Sequence, residues 1–320
     1  MELALMKAED FILIHEDGVE TTVYPFLTDC ETVNGTVVIL HGLAEHHNRY
    51  REFTLFLNAN GYDVYLYDHR GHGTDKKREE LGYIADSRGW EKLILDAVDV
   101  LSYVSDKKRS RHLILFGHSM GSLIARGATQ YSRLVDAAIF CGTTAPSAAH
   151  SRTGLAVTSL VSKLRGKRHL SPFLNHALFE RKPYRALSER TSIDWLTRSN
   201  AAVGQYMNDP YCGFVCTAGL YHDLVKLASV VTKSSSIKKT PRDLPIIFLS
   251  GDTDPVGGYG DEVIRLFETY KKLGFSDVDC ILYENCRHEL LNELNRHEIM
   301  DDILRYLGRV TGTGGFGPEN

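Results

Sequence analysis

Short apolar runs alternate with stretches of helical spacing along most of this chain. The segment FILIHEDGVETTVYPFL (11–27) reads as a hairpin, with Asp17-Gly18 as its turn. TVVILH (36–41) has the character of a buried strand. RYREFTLFLNANG then places Tyr50, Phe53 and Leu57 at helical spacing, with Gly61 as the stop. YDVYLYD (62–68) predicts a strand, WEKLILDAVDVLSYV (90–104) a helix, and HLILFG (112–117) a strand. A helix over 121–131 and the strand AAIFCG (137–142) follow. PIIFLSG (245–251), a helix over 261–273, the strand VDCILYE (278–284) and a helix over LLNELNRHEIMDDILRYL (290–307) complete the series. Such alternation predicts an α/β fold, a mostly parallel sheet with helices on both faces.

The alternation lapses between about 147 and 240. Here SRTGLAVTSLVSKLRGKRH places Val157, Leu160, Val161 and Leu164 on one helical face, with Lys163, Arg165, Lys167 and Arg168 clustered beyond. The expected organisation is a core from 1–146 and 241–310 and an inserted helical cap from 147–240, covering a pocket at the strand ends. The Gly-rich end TGTGGFGPEN (311–320) is expected to be disordered.

Composition sets outer bounds. The chain has 320 residues, 43% hydrophobic and 24% charged, as in ordinary soluble domains. A net charge of −4 gives no general pull toward nucleic acid. That charge is unevenly spread. Residues 151–240 hold fourteen Lys and Arg against five Asp and Glu, a local +9 that leaves −13 elsewhere. A basic, partly amphipathic insert suits peripheral contact with a membrane surface as well as a solvated face. The opening MELALMKAEDFILIHEDG lacks a signal-peptide pattern, and no apolar run reaches membrane-spanning length. Six scattered cysteines (30, 141, 212, 216, 280, 286) read as reduced thiols, so a cytoplasmic protein is expected.

Chemistry concentrates at Gly117-His118-Ser119-Met120-Gly121, a G-x-S-x-G pattern between a predicted strand and a predicted helix. That context presents a serine on a sharp elbow, beside the free N–H groups of a helix start. A serine hydroxyl needs a base, and the base an orienting acid, in the chain order Ser, acid, His. His288 follows the strand 278–284, and Asp252 and Asp254 follow the strand 245–251. All fall at the same sheet edge as Ser119. Asp254, before Pro255, is biased toward an extended loop and is the expected acid; Asp252, after Gly251, reads as a turn residue. HGLAEHHNRY (41–50) is placed to supply an oxyanion donor through the Leu43 N–H, beside that of Met120. Its histidines fit no metal-ligand spacing, nor does Cys212-x-x-x-Cys216, so no metal is expected.

LHGLAEHHNRY, GYDVYLYDHRGHG, FGHSMGS, SGDTDPVGGYGDEV and LYENCRHELLNE span about 36–307. Together they resemble the α/β-hydrolases of the monoacylglycerol lipase and lysophospholipase family, also filed as serine-aminopeptidase-like. The resemblance implies Ser119 as nucleophile, Asp254 as acid, His288 as base, and Leu43 and Met120 as oxyanion amides. It implies a serine ester hydrolase for lipid-like esters, monoacylglycerols or lysophospholipids, working through an acyl-enzyme without a cofactor. The alternative is a thioesterase or amidase with the same triad. A non-catalytic ligand-binding relative is a third reading, weakened by the presence of all three triad residues. Asp68, Arg70 and His72 match a family loop that reads as a brace.

Overall fold

The computed structural model describes residues 6–7, 9–188 and 190–313. Its strands are β1 Met6–Lys7, β2 Phe11–Ile14, β3 Glu20–Leu27, β4 Gly35–Leu40, β5 Tyr62–Tyr67, β6 Leu113–His118, β7 Ala137–Cys141, β8 Ile246–Gly251 and β9 Val278–Tyr283. Its helices are α1 Arg51–Ala59, α2 Gly89–Lys107, α3 Met120–Tyr131, α4 Ala148–Arg165, α5 Pro172–Phe179, α6 Lys182–Arg185, α7 Asn200–Asn208, α8 Ala218–Val231, α9 Ser234–Ile237, α10 Asp261–Lys272 and α11 Arg296–Thr311. One sheet runs β1-β3-β5-β4-β6-β7-β8-β9, with β2 also paired to β3. Pairs from β5 through β9 are parallel, and those involving β1, β2 and β3 are antiparallel. The 11–27 segment is the hairpin its sequence predicts, with Gly18 at φ +77° in the turn. This is the α/β-hydrolase architecture, covered on both faces.

The central strands are buried at every residue, as parallel strands under two helical layers must be. Along β4, Val38 and Leu40 face the layer built by α2, α3, α8 and α10, while Val37 and Ile39 face α1 and α11. Since the strands are parallel, the loops after β4, β6, β8 and β9 all emerge at one edge, where ligands of such sheets bind.

The packing explains one expectation that fails and one face whose direction the spacing left open. The apolar face of α4 does not turn inward: Val157, Leu160 and Leu164 are 37%, 57% and 74% exposed, and of that face only Val161 packs against the core. The helix instead buries Ser151 and Thr158, and Gly154 meets Val225 of α8. Small residues let α4 sit close against α8, and Thr158 Oγ1 hydrogen-bonds Gly154 O and His222 Nδ1. The predicted helix 290–307 is also broken. Leu290–Asn292 form one 3₁₀ turn, and α11 begins only at Arg296. Between them Glu293 is wholly buried, its carboxylate accepting the backbone N–H groups of Arg287, Arg198 and Leu294. A buried carboxylate needs such donors, and the chain folds around it rather than continuing the helix.

Between β7 and β8, α8 buries Leu220, Tyr221, Leu227 and Val231 in the same core as α2 and α3. Among the described residues no helix is long and apolar enough to cross a membrane. All six cysteines are free thiols. Of the Gly-rich end, Thr311–Thr313 close α11, with Gly312 at φ +71°; the rest lies outside the described residues.

Candidate active site

Ser119 sits between β6 and α3 with φ 53° and ψ −120°, a region that side chains rarely occupy. Its surroundings hold it there. A Cβ on Gly121 would collide with the carbonyl oxygens of Leu40 and His41, and one on Gly117 with that of Gly121. Only glycines allow β4, β6 and α3 to converge this tightly, which is why the elbow carries two.

The structure brings Ser119, His288 and Asp254 together. His288 Nε2 lies 2.8 Å from Ser119 Oγ, and Nδ1 lies 2.9 Å from Asp254 Oδ2. Asp254 is fully buried, and its other carboxylate oxygen accepts the Val256 N–H at 2.8 Å. Asp252 instead accepts a hydrogen bond from the neighbouring Thr253 hydroxyl. Leu43 and Met120, whose N–H groups are the expected oxyanion donors, both line the space beside Ser119. Met120 is the first residue of α3, so its N–H is among those a helix leaves without an internal partner.

Behind this chain lies a buried ionic network that sequence spacing did not reveal. Glu45 Oε1 accepts hydrogen bonds from the Gly42 N–H and, at 2.9 Å, from the Tyr50 hydroxyl. Arg49 joins Glu45 to Glu289, gripping the latter with Nη1 and Nη2 at 2.7 Å each. It thus links the loop after β4 to the residue beside His288. His118 bridges the same parts, with Nδ1 at 3.4 Å from Glu45 and Nε2 at 3.3 Å from the His288 carbonyl. Burial opposes charge on Glu45, but Arg49 and His118 hold its carboxyl well below the ordinary value. Burial likewise opposes a proton on His118, but the Glu45 hydrogen bond, the charges of Glu45 and Glu289 and the His288 carbonyl together outweigh it and raise the pKa above 6.5. In the sequence, Glu45 stands unmarked among histidines at no metal-ligand spacing; no local pattern pairs it with a residue more than 240 positions away.

The DHRGHG loop braces the site. Asp68 accepts the His47 N–H and faces His47 Nδ1, both at 2.7 Å. Arg70 grips Asp96 and Asp17. The His41 Nδ1–H donates to Gly42 O, and His41 Nε2 accepts the His69 N–H. Burial depresses the pKa of His41, His69 and His72, that of His69 to about 3, so these rings stay neutral.

The His118–Glu45 pair predicts a pH signature. A raised His118 pKa stabilises the fold fully below pH 6.5, and that contribution fades as pH rises through the folded value. A lowered Glu45 pKa stabilises above pH 4.5 and fades as pH falls through its folded value. Glu45→Gln therefore costs most stability between about pH 4.5 and 6.5 and less once the pH has risen through the folded value of His118. Urea unfolding across pH 4–9 measures this, and a cost that does not vary with pH removes the charged pair from the account.

Two cavities meet at Ser119. One, of about 440 Å³, runs under α4, α5 and α8 between Leu174, Leu178, Leu224, Val225 and Ala228. The other, of about 220 Å³, is lined by Trp195, Tyr206, Phe214, Tyr221, Asn175 and Glu289. Trp195, which no motif marked, stands with its ring centroid 5.3 Å from that of His288.

The fold is that of an α/β-hydrolase, and its relatives make it one of the lipase/esterase type. A family model described as "Serine aminopeptidase, S33" matches residues 31–295, and the chain belongs to that family. It is 27% identical over 293 residues to the monoacylglycerol lipase of Mycolicibacterium smegmatis, covering 89% of this chain and 92% of the relative. It is also 27% identical over 284 residues to the monoglyceride lipase of Mus musculus, covering 85% and 80%. Among solved structures, a thermostable carboxyl esterase from Bacillus coagulans shares the fold with a TM-score of 0.87 at 24% identity, covering 95% of this chain and 98% of that one.

Proposed function

We propose that this chain is a serine ester hydrolase for lipid-like carboxylic esters, monoacylglycerols or lysophospholipids, acting through an acyl-enzyme. The observation that carries the reading is the Ser119–His288–Asp254 hydrogen-bonded chain opening onto two cavities of different character. His288 Nε2 takes the proton of Ser119 as Oγ attacks the ester carbonyl, then gives it to the leaving alcohol. Asp254 receives the Nδ1–H, which selects the tautomer and steadies the imidazolium. The Leu43 and Met120 N–H groups hold the oxygen that becomes charged; one such donor is worth ~10²–10³ in rate. Water then attacks the acyl-enzyme by the reverse path.

The long apolar cavity suits an acyl chain, and the smaller one, with Asn175, Tyr206 and Tyr221 among its walls, suits the alcohol. Residues 147–240 are the cap in this reading, with α4 and α5 walling the acyl side. The exposed Val157, Leu160 and Leu164, beside Lys163, Arg165 and Lys167, fit contact with a lipid surface. The relatives named as monoacylglycerol or monoglyceride lipases point the same way.

The test is competition against fluorophosphonate labelling of Ser119. Long-chain monoglycerides or lysolipids presented in vesicles are expected to compete at least ~10-fold better than short soluble esters or acyl thioesters, since each buried methylene is worth ~0.8 kcal/mol. Preference for the short esters or the thioesters overturns the substrate class.

A further inference from the structure

We propose a site for a thiophilic divalent cation such as Zn²⁺, formed by His46, Asp209 and Cys212 where the insert meets the loop after β4. A ring nitrogen of His46, a carboxylate oxygen of Asp209 and Sγ of Cys212 lie within 4.8 Å of one another. The three come from two segments that are already strapped together. Gly213 N donates to Ala44 O at 2.9 Å, and the Tyr206 hydroxyl reaches the same oxygen at 3.2 Å. Asp209 is pre-aimed as well. Its Oδ1 accepts the Tyr211 N–H at 2.8 Å, which leaves Oδ2 on His46 Nε2 at 2.9 Å.

His46 is 4% exposed. Its Nε2, the nitrogen that already meets Asp209, is the one that would face an ion shared with that carboxylate. Asp209 keeps 30% of its side chain in solvent, which gives an ion a way in.

Donor chemistry selects the ion. A mixed nitrogen, oxygen and sulfur set suits zinc and its borderline-soft neighbours, whereas calcium and magnesium take oxygen alone. Zinc holds such donors at about 2.0–2.3 Å and adds a water as fourth ligand when the protein offers three. Donor atoms up to 4.8 Å apart must draw together by side-chain rotation to reach that geometry. No local spacing betrays the site, because His46 stands 163 residues before Asp209. The expectation of no metal rested on spacing within single segments. An ion here would clamp the insert to the loop that carries Leu43, and the proposal stands apart from the assignment of the triad.

The experiment is cobalt titration of chelator-treated full-length protein. The wild type is expected to show a thiolate-to-cobalt charge-transfer band at one ion per chain, displaced by zinc. The band should vanish in Cys212→Ser and persist in Cys216→Ser. Asp209→Asn should weaken binding at least ~10-fold. Zinc should raise the thermal midpoint of the wild type but not of Cys212→Ser. No band in the wild type at millimolar cobalt, or a band that survives Cys212→Ser, overturns the site and leaves a plain His46–Asp209 ion pair. If Cys212→Ser does not fold, Asp209→Asn decides: unchanged affinity overturns the site.

Discussion

Ser119→Ala is expected to lower ester turnover by about 10⁴–10⁶-fold and to leave the fold intact. The side chain is partly exposed, and its hydroxyl bonds only His288 Nε2, so little stability depends on it. The rate depends on it entirely, because covalent attack has no other oxygen at this position. His288→Ala is expected to match it closely, since a hydroxyl without its base is as inert as a missing one. Asp254→Asn is expected to lose about 10⁴-fold, through the wrong tautomer rather than a lost nucleophile. Turnover of a chromogenic ester, fluorophosphonate labelling and thermal melting together measure this series. A folded Ser119→Ala that keeps more than ~1% of activity would falsify the nucleophile assignment. An inactive Asp252→Asn beside a near-normal Asp254→Asn would move the acid to Asp252.

Gly121→Ala is expected to be among the most damaging single methyls in the site. The added Cβ meets carbonyl oxygens of Leu40 and His41, which belong to β4 and to the start of the loop carrying Leu43. Backbone cannot step aside as a flexible side chain can, so β4 and α3 must separate. Overpacking of this kind costs about 3 kcal/mol. The same shift moves the Met120 and Leu43 amides relative to Ser119 Oγ, and an error of ~1 Å in such a site costs ~10²-fold in rate. Both losses are expected together: a lower urea midpoint and a fall in kcat larger than the change in KM. A fully active and stable Gly121→Ala would mean the elbow tolerates a wider gap than this packing shows.

How far the chain's organisation is readable before folding depends on how local each cause is. The hairpin at Asp17-Gly18, the parallel strands and the helices of the core follow from periodicity and turn residues that lie next to one another. So does the elbow, whose glycines and serine sit in five consecutive positions. The juxtaposition of Ser119, His288 and Asp254 follows from topology, since parallel strands deliver their following loops to one edge. What remained hidden is non-local. The Glu45–Arg49–Glu289 network joins segments about 240 residues apart. The break at Glu293 answers to Arg198, which belongs to the insert. The outward turn of Leu160 and Leu164 is a different case. Apolar spacing marks a face without saying what covers it, and in α4 the small residues on the other side made the closer fit to α8.

The burial of α8 against α2 and α3 also constrains engineering. A deletion of everything from 147 to 240 would strip Leu220, Tyr221, Leu227 and Val231 from the central layer and leave a collapsed scaffold. Chimeras that replace only the segment between about residues 147 and 216, and retain the native helix beyond, preserve that layer.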